Sequence, residues 1–148
     1  MNFNIEAYSD LVDDLDKLYA IAVEEILVDC PLKHEVDHKQ FIDMDEMGLL
    51  QIITAREDGE LVGFHISTIA NDIFYKGKKT AFVMLYFMKK ENRGGGNALS
   101  MFEYADKVFK GSNIDRAFMS RKIHLNNEKL FDKLGFNQIE SNYEKYYA

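Results

Sequence analysis

Three consecutive glycines, Gly94 to Gly96, are the residues of this chain whose type and spacing point most directly to chemistry. They lie between an apolar stretch, residues 81–88, and an amphipathic stretch, residues 97–110. In an arrangement of strand, glycine turn and helix, the first helical N–H groups have no partner inside the helix. The helix dipole adds partial positive charge at the same end. The pattern therefore predicts an anion site built from backbone, and a pyrophosphate fits it.

The residues around the glycines narrow the kind of motif. No Lys-Ser or Lys-Thr follows them, as a lysine-containing phosphate loop requires, and the third glycine of the dinucleotide fingerprint is absent. The pattern that fits is Arg-x-x-Gly-x-Ala, filled by Arg93, Gly96 and Ala98. A second segment, Leu130 to Phe136, has the pattern of a helix that ends in Leu-Gly-Phe, and its Gly135 lies 39 residues after Gly96.

These two segments resemble the signatures of the GNAT superfamily of acyl-CoA N-acyltransferases, in particular its small bacterial and phage members. The resemblance covers residues 49–147 well, and the two N-terminal helices match only in kind. It implies an α/β (α+β) acyltransferase fold with a central mixed, mostly antiparallel sheet flanked by helices, formed by residues 1–148 as a single domain. The implied reaction is transfer of acetyl from acetyl-CoA to an amine, with no metal. An acyl-CoA-binding regulatory or interaction module without turnover is the alternative.

The resemblance also implies where acetyl-CoA lies. Pantetheine would pair with the end of the strand before the glycines, and the glycine turn would hold the pyrophosphate. One of four lysines, Lys89, Lys90, Lys129 or Lys133, would reach the terminal phosphate. The residues expected on CoA are Tyr86, Phe87, Met88, Arg93, Gly94, Gly95, Gly96, Asn97, Ala98 and Asn127.

The catalytic groups are less well defined, because the sequence departs from the family pattern at two positions. Family members often use a tyrosine to protonate the departing thiolate, and that position is Phe131 here. The position of a frequent asparagine is His124, which could contact CoA, act as the acid or be a loop histidine. Tyr143 is another candidate acid. His65 is either the base or a sheet residue with a packing role.

The residues His34 to His38 match the letters of the zinc-protease motif His-Glu-x-x-His. That chemistry needs both histidines on one helix face and a third ligand. The five residues straddle an expected helix start after Pro31, and no third ligand follows at the expected place. Solvated loop histidines are therefore the favoured interpretation, and a zinc hydrolase is a remote alternative.

Composition limits the remaining possibilities. The chain has 148 residues, 47% of them apolar, and its one cysteine excludes an internal disulfide framework. Residues 1–60 carry 16 acids and 4 bases, whereas residues 61–148 carry 9 acids and 14 bases. The acidic half argues against nucleic acid and favours a cationic acceptor, either a small-molecule amine or a peptide. No membrane-spanning or signal pattern is present, so we expect a cytoplasmic protein, which could form a homodimer.

Hydrophobic periodicity predicts the elements that position these residues. Strands are expected at residues 2–7, 49–56, 61–70, 80–88 and 114–123, and helices at 10–28, 37–47, 97–110 and 126–134. Ser9 and Asp37 are the expected caps of the first two helices. Residues 136–140 and 143–147 are expected to form a closing hairpin. The helices between strands require parallel pairing somewhere in the sheet.

Overall fold

Five strands form one mixed sheet in the computed structural model, which describes residues 1–147. They lie side by side in chain order: β1 (Asn2–Ile5), β2 (Leu50–Glu57), β3 (Glu60–Asn71), β4 (Lys79–Met88) and β5 (Arg116–Met119). The first four are antiparallel to their neighbours, and β5 runs parallel to β4. The mixed, mostly antiparallel sheet expected from the sequence is therefore confirmed.

Within residues 1–147, four α-helices cover the two faces of this sheet: α1 (Val12–Ile26), α2 (His38–Glu46), α3 (Asn97–Gly111) and α4 (Glu128–Lys133). The predicted cap of α2 is confirmed, because the Asp37 side chain accepts a hydrogen bond from the Gln40 N–H. Gly135 has φ of 77° and ends α4 in the left-handed conformation, also as predicted. None of the helices in residues 1–147 has both the length and the apolar character needed to cross a membrane.

The predicted cap of α1 is wrong. Ser9 lies in a short 3-10 turn, Tyr8–Asp10, and α1 begins only at Val12 without a side-chain cap. The cause is Tyr8, whose side chain is fully buried and stacks on Phe41 at 4.7 Å between ring centroids. The Tyr8 N–H is held by Asp45 at 2.8 Å. Burying this ring fixes the chain in a tight turn before the helix can start.

The core has one cluster on each face of the sheet. On the α1 and α2 face, buried leucines of α1 pack with Phe64, Ile66 and Phe87. On the other face, Met101 and Phe102 of α3 join a second set of buried sheet residues. Fully burying one such side chain stabilises the fold by about 1.5–3 kcal/mol. These contacts hold α1 and α3 against opposite faces of the sheet.

A bulge in β4 opens the sheet next to β5. Ile66 of β3 is opposite Leu85 and Ser67 is opposite Val83, so Met84 is the extra residue. Pairing of β4 with β5 ends at the same level, with Val83 opposite Met119. Beyond this point the β4 edge has no strand beside it among the described residues. We call the space between residues 84–88 and the segment 120–127 the β4–β5 gap.

The predicted C-terminal hairpin is wrong. Residues 136–147 contain no strand, and after Phe136 they make no backbone hydrogen bonds to one another or to the sheet. Ile139, Tyr143 and Tyr147 are exposed. Polar residues predominate between them, so the segment has too little apolar surface to bury in return for ordering its backbone. The strand predicted at 114–123 is correspondingly shorter, because it has no neighbour on its outer edge.

Candidate functional site

The β4–β5 gap ends at the glycine turn. A 3-10 turn at Lys90–Asn92 follows β4 and leads directly into the glycines and α3. Gly95 and Gly96 have φ of 64° and 83°, the left-handed region that glycine adopts without strain. A Cβ at Gly94, Gly95 or Gly96 would meet no atom within 4 Å. The turn therefore presents bare main chain to open space, as a close approach to a ligand requires.

The N–H groups of this turn are largely free. Asn97 donates its N–H to the Gly94 carbonyl at 3.2 Å, and Ser100 donates to Gly96 at 2.9 Å. The N–H groups of Gly95, Gly96 and Ala98 have no acceptor among residues 1–147. Because they lie at the N-terminus of the 15-residue helix α3, they add to its partial positive charge. The turn can therefore bind a phosphate group through backbone alone.

The Arg93 side chain is engaged by other parts of the protein and does not take part in the anion site of the glycine turn. Its Nε donates to the Met88 carbonyl at 2.7 Å, and its terminal nitrogen donates to the Glu25 carboxylate at 2.6 Å. The guanidinium carbon also lies 5.4 Å from the centre of the Phe87 ring. Arg93 thus connects the ends of α1 and β4 at the start of the turn. No local sequence pattern indicates Glu25 as its partner.

The edge of β4 supplies backbone groups to the gap. The Lys89 N–H donates a hydrogen bond to the Val62 carbonyl of β3 at 2.8 Å. This bond shows which β4 residues direct their backbone groups toward β3. Since backbone groups alternate along a strand, Phe87 faces β3, whereas Tyr86 and Met88 direct their N–H and C=O groups into the gap. The Met88 carbonyl is the one that Arg93 occupies. Of the three residues predicted to pair with pantetheine, Tyr86 and Met88 therefore have the suitable backbone direction.

The Tyr86 side chain crosses the gap on the α3 side. Its hydroxyl donates to the Ser120 carbonyl at 3.0 Å and accepts from Asn127 Nδ2 at 3.0 Å. Its ring contacts Phe102 and Phe131 edge-on, at 5.2 and 6.3 Å between centroids. Burial raises the pKa of the phenol, and the Asn127 hydrogen bond opposes that rise. Tyr86 therefore remains a neutral O–H donor well above neutral pH.

Asn127 offers a further polar group. Its side-chain oxygen, Oδ1, is buried and has no partner among residues 1–147. Buried polar atoms are usually satisfied, so an unpartnered acceptor here is suited to the N–H of a bound molecule. The free turn N–H groups, the β4 edge and this acceptor together fit a molecule in which a chain that carries amides is joined to a pyrophosphate. Acyl-CoA has that composition.

His65 lies on β3, opposite Tyr86 in the strand register, and is separated from the gap by β4. It is 1% exposed, beneath α3, with the rings of Phe102 and Phe109 at 5.4 and 5.9 Å. Its Nδ1 has no partner among the described residues. Burial lowers the pKa of the imidazole to about 4. These surroundings favour the packing role over the role of base, the two possibilities that the sequence left open.

The other two candidate catalytic residues are not brought together with His65. His124 lies on the loop beside the gap, where its Nε2 is 3.0 Å from the Glu25 carbonyl. Tyr143 is 94% exposed in the irregular C-terminal segment. Nearby, the Tyr146 hydroxyl is 3.5 Å from the Cys30 sulfur, which places that segment next to the α1–α2 loop. Of the three, His124 is the residue that borders the gap.

The histidines of the zinc-like motif do not share a helix face. His34 lies in the loop, and α2 begins at His38 after its Asp37 cap. The His38 ring nitrogens instead lie 3.0 Å from the Tyr8 hydroxyl and 2.6 Å from the Asp16 carboxylate. The helical geometry required by zinc-protease chemistry is therefore not formed.

Comparison with known proteins agrees with this fold. The sequence matches the acetyltransferase (GNAT) family over residues 15–136. The match spans most of the chain, so the protein belongs to this family and is an acyltransferase. No curated protein matches the sequence significantly.

Solved structures share the fold at low sequence identity. A putative acetyltransferase from Agrobacterium tumefaciens has a TM-score of 0.77 at 19% identity, over 99% of this chain and 100% of the other. An aminoglycoside acetyltransferase from an uncultured soil metagenomic sample, in complex with sisomicin, has a TM-score of 0.74 at 12% identity, over 99% and 94%. A predicted acetyltransferase with acetyl-CoA from Clostridium acetobutylicum has a TM-score of 0.72 at 14% identity, over 98% and 95%.

Proposed function

We propose that this acyltransferase transfers acetyl from acetyl-CoA to an amine that carries positive charge, either a small molecule or a lysine-rich peptide. The glycine turn carries the proposal, because its free N–H groups lie at the open end of the β4–β5 gap. Acetyl-CoA supplies an activated thioester that an amine can attack. A solved neighbour described as a complex with acetyl-CoA supports the choice of donor.

Three parts of the chain would hold the donor. The N–H groups of Gly95, Gly96 and Ala98 bind the pyrophosphate. The outward backbone groups of Tyr86 and Met88 pair with the pantetheine amides. Asn127 Oδ1 accepts from a further N–H. Lys89 is less suited to the terminal phosphate than the sequence implied, because it is paired with Glu60.

The charge of the N-terminal helix and the following loop supports a cationic acceptor. Residues 10–37 contain nine acids and two bases, so their net charge is −7. Five of these acids, Glu24, Glu25, Asp29, Glu35 and Asp37, lie near the end of α1 and in the following loop. Three of them are engaged: Glu25 by Arg93, Glu35 by Lys33 and Asp37 by the α2 backbone. The other two, Glu24 and Asp29, are exposed. They are the carboxylates best placed to attract an amine by long-range steering.

The acceptor must lose a proton before its nitrogen can attack the thioester. Activity should therefore rise with pH through neutral, as the neutral amine becomes more abundant. Attraction between a cationic acceptor and the acidic α1 region should weaken with salt, because exposed charges are screened over about 8–10 Å at physiological ionic strength. Both dependences distinguish this acceptor class from a neutral one.

The experiment is a panel of amines assayed by thiol release from acetyl-CoA at low and high salt. Polyamines, aminoglycosides and lysine-rich peptides should be acetylated, with a Michaelis constant that rises with salt. Glu24→Gln combined with Asp29→Asn should raise this constant for cationic acceptors only, and Asp106→Asn on α3 is the matched control. A preference for neutral or anionic acceptors, without salt dependence, would exclude the cationic class.

A further inference from the structure

The departing thiolate needs a proton, and the structure offers a donor that the sequence did not single out for this role. Residues 84–88 and 120–127 border the gap, and Tyr86 is the only tyrosine in these two segments. Its hydroxyl spans the gap between β4 and the loop after β5, held by Ser120 and Asn127. This position follows from the β4 bulge, which separates the strands and leaves room for the side chain.

We propose that Tyr86 is the general acid of the transfer, delivering its phenolic proton to the sulfur of the departing CoA. This inference rests on the proposed function. It differs from the sequence expectation, which gave Tyr86 a role only through its backbone and sought the acid at His124 or Tyr143.

The surroundings of the hydroxyl suit a proton donor. Asn127 Nδ2 donates to the phenol oxygen at 3.0 Å, so it stabilises negative charge on that oxygen once the proton has left. The O–H points to the Ser120 carbonyl, and a hydroxyl redirects its hydrogen by rotation about one bond. The proton can therefore be transferred to an atom in the gap without movement of the backbone or the ring.

The position of Phe131 strengthens the inference. Its ring lies edge-on to Tyr86, at 6.3 Å between centroids and 65° between planes. The two rings are therefore direct neighbours on the α3 side of the gap. The phenol lacking at position 131 is thus replaced by one that enters from β4.

The proposed step balances as follows. The neutral acceptor nitrogen bonds to the acetyl carbon, the carbon–sulfur bond breaks, and the bonding pair goes to sulfur. Sulfur takes the phenolic proton, the acceptor nitrogen releases a proton to water, and the phenolate regains one from water. The products are an amide and the thiol of CoA.

The first test is Tyr86→Phe, with Tyr104→Phe on α3 as the matched control. A general acid contributes on the order of 100-fold or more, so kcat with acetyl-CoA should fall by about that factor in the first variant only. Adding Phe131→Tyr to the Tyr86→Phe variant should raise kcat at least about tenfold above that of Tyr86→Phe alone. Asn127→Ala, which leaves the phenol in place, should also lower kcat.

A binding measurement separates chemistry from a structural role. Calorimetry should show that the native chain binds CoA more tightly than desulfo-CoA, because the phenol would form a hydrogen bond with the sulfur. Tyr86→Phe should remove this difference. Loss of affinity for both ligands by the same factor would assign Tyr86 to loop support and overturn the inference. Unchanged kcat in Tyr86→Phe, in a native chain that acetylates an amine, would overturn it too. If the native chain neither binds acetyl-CoA nor transfers acetyl, it is the proposed function that fails.

Discussion

Arg93 and Glu25 are 68 residues apart in the sequence, and in the structure their side chains form a 2.6 Å ion pair. The Glu25 backbone carbonyl lies 3.0 Å from His124 Nε2, so one residue at the end of α1 contacts both borders of the candidate site. This junction connects α1, the glycine turn and the loop after β5. Within it, the Arg93 side chain is engaged by Glu25 and by the Met88 carbonyl.

The junction predicts a graded loss of stability. Glu25→Gln should lower the free energy of unfolding by about 0.5–1 kcal/mol, because both side chains are 34% exposed and the pair is screened by solvent. Arg93→Ala should lower it by about 1–2 kcal/mol, since it also removes the Met88 hydrogen bond and the Phe87 contact. Urea denaturation of both single variants and the double variant would measure the coupling. Strict additivity of the two losses would contradict a direct interaction.

Burial of His65 predicts a pH dependence of stability. Its pKa is about 4 in the folded chain, below the ordinary value of 6.5, because burial disfavours the charged ring. The unfolded chain therefore binds a proton first as pH falls, and stability should decrease by up to about 3 kcal/mol between pH 6.5 and pH 4. Above pH 6.5 this contribution is constant.

The control is His65→Leu, an apolar side chain of similar size. Other groups titrate in the same range, so the measured quantity is the difference between native and variant in free energy of unfolding at each pH. That difference should change in favour of the variant as pH falls from 6.5 to 4. A difference that is independent of pH would show that the ring is not held neutral.

His124 predicts a separate effect on cofactor affinity. Its contact with the Glu25 carbonyl fixes the loop that borders the gap. His124→Ala should therefore weaken acetyl-CoA binding several-fold, because loss of one hydrogen bond of about 1 kcal/mol corresponds to about a fivefold change. If Tyr86 is the acid, kcat at saturating acetyl-CoA should change less than this affinity. A fall in kcat of a hundredfold with unchanged affinity would instead assign the proton to His124.

The sequence predicted those features that depend on local pattern. Glycine spacing located the turn, and the apolar run at 80–88 located β4. The helices between strands predicted a parallel pair somewhere in the sheet, and in the structure this pair is β4 with β5. Gly135 and Asp37 have the predicted end and cap roles because these depend on neighbouring residues only. The C-terminal hairpin was predicted wrongly since alternating residues show that a strand is possible, and do not show whether its apolar side chains are buried.

Contacts between residues far apart in the sequence could not be predicted from local sequence patterns. No local signal connects Glu25 with Arg93, or Tyr86 with Asn127, which are 41 residues apart. Burial of Tyr8 displaced the start of α1 and made the predicted Ser9 cap irrelevant. Packing likewise favoured one of the two roles left open for His65. The position of the candidate acetyl-CoA site along the chain could therefore be predicted, whereas the side-chain contacts across the gap could not.

The central claim is that the glycine turn binds acetyl-CoA, and a thermal-shift titration tests it most directly. Gly96→Asp places a carboxylate where phosphate is expected, and Gly77→Asp is the matched control because Gly77 has φ of 81° and equally open surroundings. Acetyl-CoA at 100 times its Kd should stabilise the native chain and the control by about 2.7 kcal/mol, seen as a rise in Tm of several degrees. Gly96→Asp should show no rise. Absence of a shift in the native chain at millimolar acetyl-CoA, or an equal shift in Gly96→Asp, would contradict the account.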